Sequence, residues 1–481
     1  MKKNKYIYIL AAGMLFSSCS KDFLEVDPQS TINTEQLESS SVASLGAIRG
    51  VMATLRSAET TGYAGHEDYG HKGVLSVLDL MGHDVVMNYL NWGGFNYNYN
   101  GRVQTNSRSH YPWFTYYTQI KNVNTIIKLI DADTEDAELR AVLGQALALR
   151  GYFHFMLARI YGPTYVGNSS ALSIPINAEV LSSKRNTVEE VYALIEDDLE
   201  KAVEALEGYT RPSLELIDQS VAQAFLADVY LEKGKYEEAA AMANAARQPY
   251  ELLNEADWKS GFYKIDQNET MWGADINGEL TTFVASFFSH FDNTNEGYSE
   301  GGNISIDRRL YDAMPETDYR KSMFFGEEGG IYKEVEYEPY ISLKFRDLTP
   351  DRTEGDYIYL RSSLMYYIEA EGLAKSNNEE GAKDVLFEIT SKRDPAYVRS
   401  TKTGQDLIDE IILQKRIELW GEGFAWFDLK RLKKGVVRDY SGTNHPAYGK
   451  FNIPVNDNKF LFMIPQAEID ANPAILPNNP Q

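Results

Sequence analysis

The sequence predicts a mostly α protein: a right-handed stack of about four helical hairpins, with long irregular insertions over one face and a loop-rich C-terminus. Three observations predict it. Apolar residues recur at spacings of three and four, as Leu149, Phe153, Met156 and Ile160 do, which lays one apolar stripe along a helix. The stretch from Val221 to Arg247 reads as two helices folded back on each other around a short turn. Between the periodic segments lie stretches rich in Gly, Asn, Tyr and Pro that support no long helix.

The hairpin at 217–247 is the most legible. Ala224, Ala227 and Leu231 mark its first helix, Lys233-Gly234-Lys235 its turn, and Tyr236, Ala239, Ala240 and Ala243 its second. Small facing residues let two helices approach closely, and Glu237 and Glu238 favour the start of the second helix. Alanines, a turn glycine and a following tyrosine in this order match the tetratricopeptide arrangement. A second hairpin fits 358–393, with Leu364, Ile368 and Ala374 before the polar turn Ser376-Asn377-Asn378, and Ala382, Leu386 and Ile389 after it. Two more pair 39–57 with 113–130 and 138–161 with 187–206, each across an intervening segment. Such helices bury their faces only by stacking on neighbours, so 39–481 is expected to be a single domain. The insertions fall at 58–112 and 250–357, and 394–481 forms the C-terminal region. Long irregular insertions on a rigid scaffold are where binding residues usually sit.

Charge narrows the function. A formal net charge of −23 argues against nucleic acid and against adhesion to an anionic membrane through a basic patch, since both need a Lys/Arg footprint. It is indifferent to neutral hydroxylated ligands. Tyr outnumbers Phe, 32 to 21, so many aromatic rings carry a polar handle suited to half-exposed contact surfaces.

The chain has one cysteine, which excludes a disulfide framework and a Cys-based zinc site. Lys2, Lys3 and Lys5 form a basic leader, Tyr6 to Phe16 a short apolar run, and Ser17 and Ser18 lead directly into Cys19. The run is too short to span a bilayer, so 1–18 reads as an export signal. A signal ending in small residues and a cysteine resembles the bacterial lipoprotein pattern, in which Cys19 would be lipidated and become the new N-terminus. Residues 19–38 then form the lipidated start and a polar tether.

Further motifs carry a family resemblance. Gln414-Lys415-Arg416-Ile417-Glu418-Leu419-Trp420-Gly421-Glu422-Gly423, followed by Trp426-Phe427-Asp428-Leu429-Lys430-Arg431, resembles the C-terminal signature of the SusD/RagB family. The ending Ile464-Pro465-Gln466-Ala467-Glu468-Ile469-Asp470-Ala471-Asn472-Pro473 is similar to that family's terminal motif. Leu360-Arg361, Met365-Tyr366 and Glu369-Ala370-Glu371 resemble its last repeat, and Trp113, Tyr117, Ile120 and Asn124 an early helix. One departure is visible: Phe424 and Ala425 stand where members often carry a basic pair. The resemblance implies a surface lipoprotein on the outer membrane, lipid-anchored and facing the cell exterior. It implies a lid over a SusC-like TonB-dependent transporter that binds oligosaccharide before import and is not an enzyme. Some relatives capture peptide instead, which is the alternative reading.

Glycan-site candidates follow from chemistry and from the resemblance, because the family's aromatic platform often lies in the first insertion. Trp92, Asn96, Tyr97 and Tyr99 offer rings to stack on the CH face of a sugar and an amide to bond its hydroxyls. For Trp92 a second reading stands beside this one, that it anchors the insertion to the scaffold. Phe288, His290, Phe291 and Tyr298 form a separate candidate patch in the middle insertion, and Arg102 could add a hydroxyl or carboxylate contact. Trp113, Trp258, Trp420 and Trp426 are assigned to packing, and Arg416, Glu418, Glu422 and Arg431 to a polar network that docks the C-terminal helix. No cofactor or metal is expected. His66 and His71 flank Glu67 at a spacing that misses a zinc-protease helix, although His66, His71 and His83 could still meet. Asp131, Asp133 and Glu135 begin like a calcium loop, but Asp136 and Val142 occupy positions that need Gly and Glu.

Overall fold

The computed structural model describes residues 40–177, 183–278, 280 and 282–481. The signal segment, Cys19 and the tether to residue 38 lie outside these residues. Helix α1 spans Ser41–Arg56, with the Ser40 side chain accepting from the Ala43 N–H. Helix α2 (Gly70–Met81) is buried all round. The long helices α3 (Ser107–Leu129) and α4 (Ala137–Tyr161) start at Asn106 and Asp136, whose side chains accept from first-turn N–H groups. Helix α5 (Val188–Ala205) opens on a capping box, in which Thr187 and Glu190 satisfy each other's backbone donors. Helices α6 (Gln219–Lys233) and α7 (Tyr236–Arg247) flank Gly234, and α8 (Ser362–Lys375) is followed by α9 (Glu379–Arg393). Helices α10 (Gly404–Glu418) and α11 (Ala425–Arg431) carry the C-terminal signature.

Helices α3 to α9 pack in chain order, each on the next, and α1 lies against α3 and α4. The architecture is the helical stack of a tetratricopeptide-like fold. Its apolar stripes meet in one large core that runs from Ile48 to Ile475. A smaller core joins Tyr367, Leu386, Ile389, Leu407 and Ile411 across α8, α9 and α10. Where α7 crosses α8, Gly372 faces backbone: a Cβ there would stand 2.6 Å from the Tyr236 carbonyl oxygen, so only glycine permits this approach.

The insertions are not structureless. Among the described residues, strands β1 (Val85–Met87), β2 (Thr270–Ala274), β3 (Ile304–Ile306), β4 (Gly330–Tyr332), β5 (Val335–Tyr337), β6 (Tyr357–Arg361) and, in the C-terminal region, β7 (Val436–Val437) and β8 (Asn452–Ile453) form four antiparallel pairs. These are β1–β3, β2–β6, β4–β5 and β7–β8. The β1–β3 pair, with Val85 opposite Ile306 and Met87 opposite Ile304, fastens the first insertion to the second.

A buried ionic cluster holds the C-terminal signature in place. Glu418 accepts from Arg361 at 3.0 Å, Arg393 at 3.0 Å, Arg320 at 3.1 Å and the Trp258 indole at 2.9 Å. Glu422 accepts from Arg361 at 2.6 Å and Lys344 at 2.7 Å, and Glu269 closes the cluster on Arg361 and Arg393. Burial alone would raise the Glu422 carboxyl; Arg361 and Lys344 outweigh it and bring it down to about 2. Arg416 pairs with Asp84, and Arg431 with Glu371 and Asp428, so both tie the signature to other helices or loops. Trp113, Trp258, Trp420 and Trp426 are all buried.

Candidate functional site

Past β1 the chain crosses residues 88–106, and before β3 it crosses 286–303, so the strand pair sets these two loops side by side. Their contacts are specific. The Asn88 N–H donates to the Asn303 carbonyl at 2.8 Å, the Tyr89 N–H to the Asn303 side chain at 2.8 Å, and the Asn91 amide to the Tyr298 carbonyl at 2.9 Å. The strand pair therefore brings Trp92 of the first candidate patch against Tyr298 of the second.

Trp92 is anchored and still partly open. Its indole N–H donates to the Tyr298 hydroxyl at 2.7 Å, which anchors it, while 38% of the residue stays open to solvent. The same hydroxyl meets Nδ1 of His66 at 2.5 Å, and the His66 ring lies 5.2 Å from Trp92. Phe95, 48% exposed, stands on the other side of Arg108, whose guanidinium is 4.1 Å from the Phe95 ring and 5.8 Å from Trp92. Arg108 is itself held from beneath: it donates to the Trp92 carbonyl at 3.2 Å and pairs with buried Glu67. Burial pushes the Glu67 carboxyl up, to about 8, against the pull of Arg108. Tyr89, also exposed, donates to the Glu300 carbonyl at 2.6 Å and borders the same surface. The result is a fixed, solvent-facing group of rings with a polar edge, suited to stacking on a ligand that has apolar faces and hydroxyl rims.

His290 backs this surface. It is buried, stacks on Tyr298 at 5.0 Å and on Tyr69 at 5.4 Å, and donates from Nε2 to the His66 carbonyl at 2.9 Å. Burial lowers its imidazole to about 4, with the His66 bond opposing. The folded state therefore binds fewer protons than the unfolded chain between the two values, and stability held above pH 6.5 is lost as pH falls through about 4. His290→Gln is expected to reduce the slope of unfolding free energy against pH in that window by up to one proton, about 1.4 kcal/mol per pH unit. Urea titrations at a series of pH values measure it.

The other sequence candidates are corrected by burial. Asn96 is inside, its amide donating to Glu67 at 3.4 Å, so it braces the Arg108 pair and cannot reach a solvent ligand. Tyr97 is fully buried, its hydroxyl 2.5 Å from Nδ1 of His445 and its ring under Arg438. The Tyr99 hydroxyl donates to the Met81 carbonyl. Arg102 is buried and donates to the Leu461 carbonyl at 3.1 Å, which clips the C-terminal segment onto the insertion. Phe288 and Phe291 pack with Phe287 in the core. For Asn96 and Tyr97 the cause is a single helical turn at Gly94–Tyr97, which rotates successive side chains by about 100° and sends Phe95 outward while these two turn in. Phe95 was missed for the same reason: composition marks the stretch but not which side of a short turn faces water; Tyr89 and His66 carry no such pattern at all.

The three histidines disperse. His66 lies at the surface, His71 is buried between the Tyr116 and Tyr152 hydroxyls, and His83 sits beside Asp84 and Arg416. Among the described residues no group of three or more His, Cys, Asp or Glu side chains could hold a metal ion, and no helix is long and apolar enough to cross a membrane.

Comparison with known proteins places the chain in a family. Residues 22–231 match a family model described as starch-binding and associating with the outer membrane, and residues 329–481 match the SusD family model. A SusD-like protein of Formosa agariphila is 25% identical over 417 residues, covering 76% of this chain and 79% of its own length. A crystal structure of a SusD-like carbohydrate binding protein from Bacteroides vulgatus superposes with a TM-score of 0.80 at 25% identity, covering 92% of this chain and 98% of that one. A SusD superfamily protein from Bacteroides thetaiotaomicron, at 21% identity and a TM-score of 0.76, covers 92% of this chain and all of its own, and speaks for the fold alone. With two family models spanning both ends of the helical stack and solved relatives matching nearly its full length, the chain belongs to the SusD/RagB family.

Proposed function

We propose that this protein captures glycan at the cell surface on the Trp92–Phe95–Tyr298 surface and, as a lid, delivers it to a SusC-like TonB-dependent outer-membrane transporter. It acts by binding alone, with no catalysis. The observation that carries the reading is the exposed ring cluster held rigid from behind by Arg108, Glu67 and His290. Flat aromatic faces with fixed orientation lose little entropy on stacking, and the polar edge at Tyr298 and His66 offers hydrogen bonds to hydroxyls. The family descriptions of starch binding and of a carbohydrate binding relative support the ligand class. Anchoring through a lipid on Cys19, facing the exterior, keeps the binder beside the pore and raises the effective concentration of captured ligand there. Peptide, the ligand of some relatives, is the competing class.

The test is binding of residues 20–481 to starch, xylan, mannan, pectin and mucin-type glycans and to casein-derived peptides, with Trp92→Ala alongside. The expected outcome is glycan binding that weakens about tenfold or more in the variant, with unchanged circular dichroism. Unchanged glycan affinity in Trp92→Ala would overturn the ring surface as the site. Binding of peptides and of no glycan would overturn the ligand class.

A further inference from the structure

A second group of rings lies beside the first. Tyr63 and Phe114 are 38% and 41% exposed, and both pack on His110, at 4.4 and 5.7 Å between ring centres, and on each other at 5.1 Å. Single exposed apolar side chains are ordinary, but two exposed rings packed on each other and on a third beneath them form a contiguous patch, which marks contact sites. His110 is buried, and its Nδ1 has no hydrogen-bond partner among the described residues.

The two groups share their supports. Helix α3 carries Arg108 under the first group and His110 and Phe114 in the second; six residues of helix separate Arg108 from Phe114, about 9 Å along the axis. The loop before α2 carries Tyr63 in the second group and His66 in the first, three residues apart and so at most about 10 Å. Both groups are thus carried by the same two pieces of backbone, which pass them in opposite chain order. A ligand consisting of one or two sugar rings covers one group; an extended chain covers both.

We propose that Tyr63 and Phe114, backed by buried His110, form a second stacking subsite beside the Trp92 surface, and that the ligand is an oligomeric glycan long enough to span both. This rests on the proposed glycan reading and adds its length requirement. The rings at the second subsite take the apolar faces of later sugar units.

The experiment uses the full chain and a size ladder of oligosaccharides prepared by partial hydrolysis of whichever polysaccharide of the panel binds. Affinities of the wild type, Trp92→Ala, Tyr63→Ala, Phe114→Ala and Phe114→Tyr are measured at each length by titration calorimetry. The expected result is wild-type affinity that rises with length in two stages. Phe114→Ala and Tyr63→Ala should weaken the longest members about threefold to tenfold and leave the shortest unchanged. Phe114→Tyr should retain the wild-type length dependence, and Trp92→Ala should weaken every length. Equal weakening of all lengths by Phe114→Ala, or none at any length while Trp92→Ala still acts, would overturn the subsite and leave the glycan reading standing. Absence of any binding polysaccharide, or indifference of every length to Trp92→Ala, would remove the reading on which the subsite rests. Phe114 and Tyr63 lie at the surface, so loss of their rings leaves the core packing in place.

Discussion

Glu418→Gln is expected to cost about 3–5 kcal/mol of folding stability, the range for breaking a buried ion pair by removing one partner. The cluster balances Arg320, Arg361, Arg393 and Lys344 against Asp318, Glu269, Glu418 and Glu422, all of them buried. Glutamine still accepts one hydrogen bond but removes the charge that three guanidinium groups face. The arginines hold the Glu418 carboxyl well below its usual range against a burial penalty that acts the other way, so it is ionised throughout the neutral region. Urea unfolding of Glu418→Gln should show the loss at pH 7. The Trp92 surface is built from other residues, so affinity per folded molecule should be unchanged, and a drop in affinity would show that the C-terminal signature also supports binding.

Gly70→Ala is expected to cost a similar amount, about 3–5 kcal/mol, by a different route. Gly70 opens α2 at φ +69°, and a Cβ there would lie 2.0 Å from the Leu55 carbonyl oxygen and 2.5 Å from its carbon. Both obstacles are backbone at the end of α1, so no side-chain rotation relieves the overlap. The conformation itself disfavours an L side chain as well. The segment from Glu59 to Tyr69 runs between the two helices, and its Glu59 N–H donates to the Asp68 carbonyl at 2.7 Å. That segment carries Tyr63 and His66, so the variant should also lose glycan affinity in whatever fraction folds. Urea unfolding and calorimetric titration on the same preparation separate the two effects; full stability in Gly70→Ala would refute the close approach.

Much of the scaffold was legible because helix stacking writes itself into a local period. Ala224, Ala227 and Leu231, or Ala382, Leu386 and Ile389, announce a buried helical face without knowledge of what covers it, and all six are buried. The C-terminal signature was legible by another route, its resemblance to the SusD/RagB family. The site was legible only as a region. Trp92 and Tyr298 were each marked by composition, but what joins them is a three-residue strand pair between segments more than two hundred positions apart, and neither strand carries a pattern that names its partner. Within the first insertion, Asn96, Tyr97 and Tyr99 look as suitable as Phe95 by chemistry. One turn of helix, too short for any period to register, decides which of them meets water.

The β1–β3 pair has a further consequence for how the chain acquires its binding surface. Closing Val85 onto Ile306 joins segments some two hundred residues apart, a contact of very high sequence separation. Helical hairpins such as α6–α7 form from neighbours and need no such closure. The α6–α7 hairpin is thus built from local contacts, whereas the ring surface, like the packing of α7 on α8, needs segments on either side of the middle insertion. A chain that ends before residue 286 would retain Trp92 without the Tyr298 hydroxyl that fixes its indole, and its rings would have no common plane to present. Ligand affinity is in this sense a late reporter of folding, sensitive to completion of the chain in a way that helix content is not.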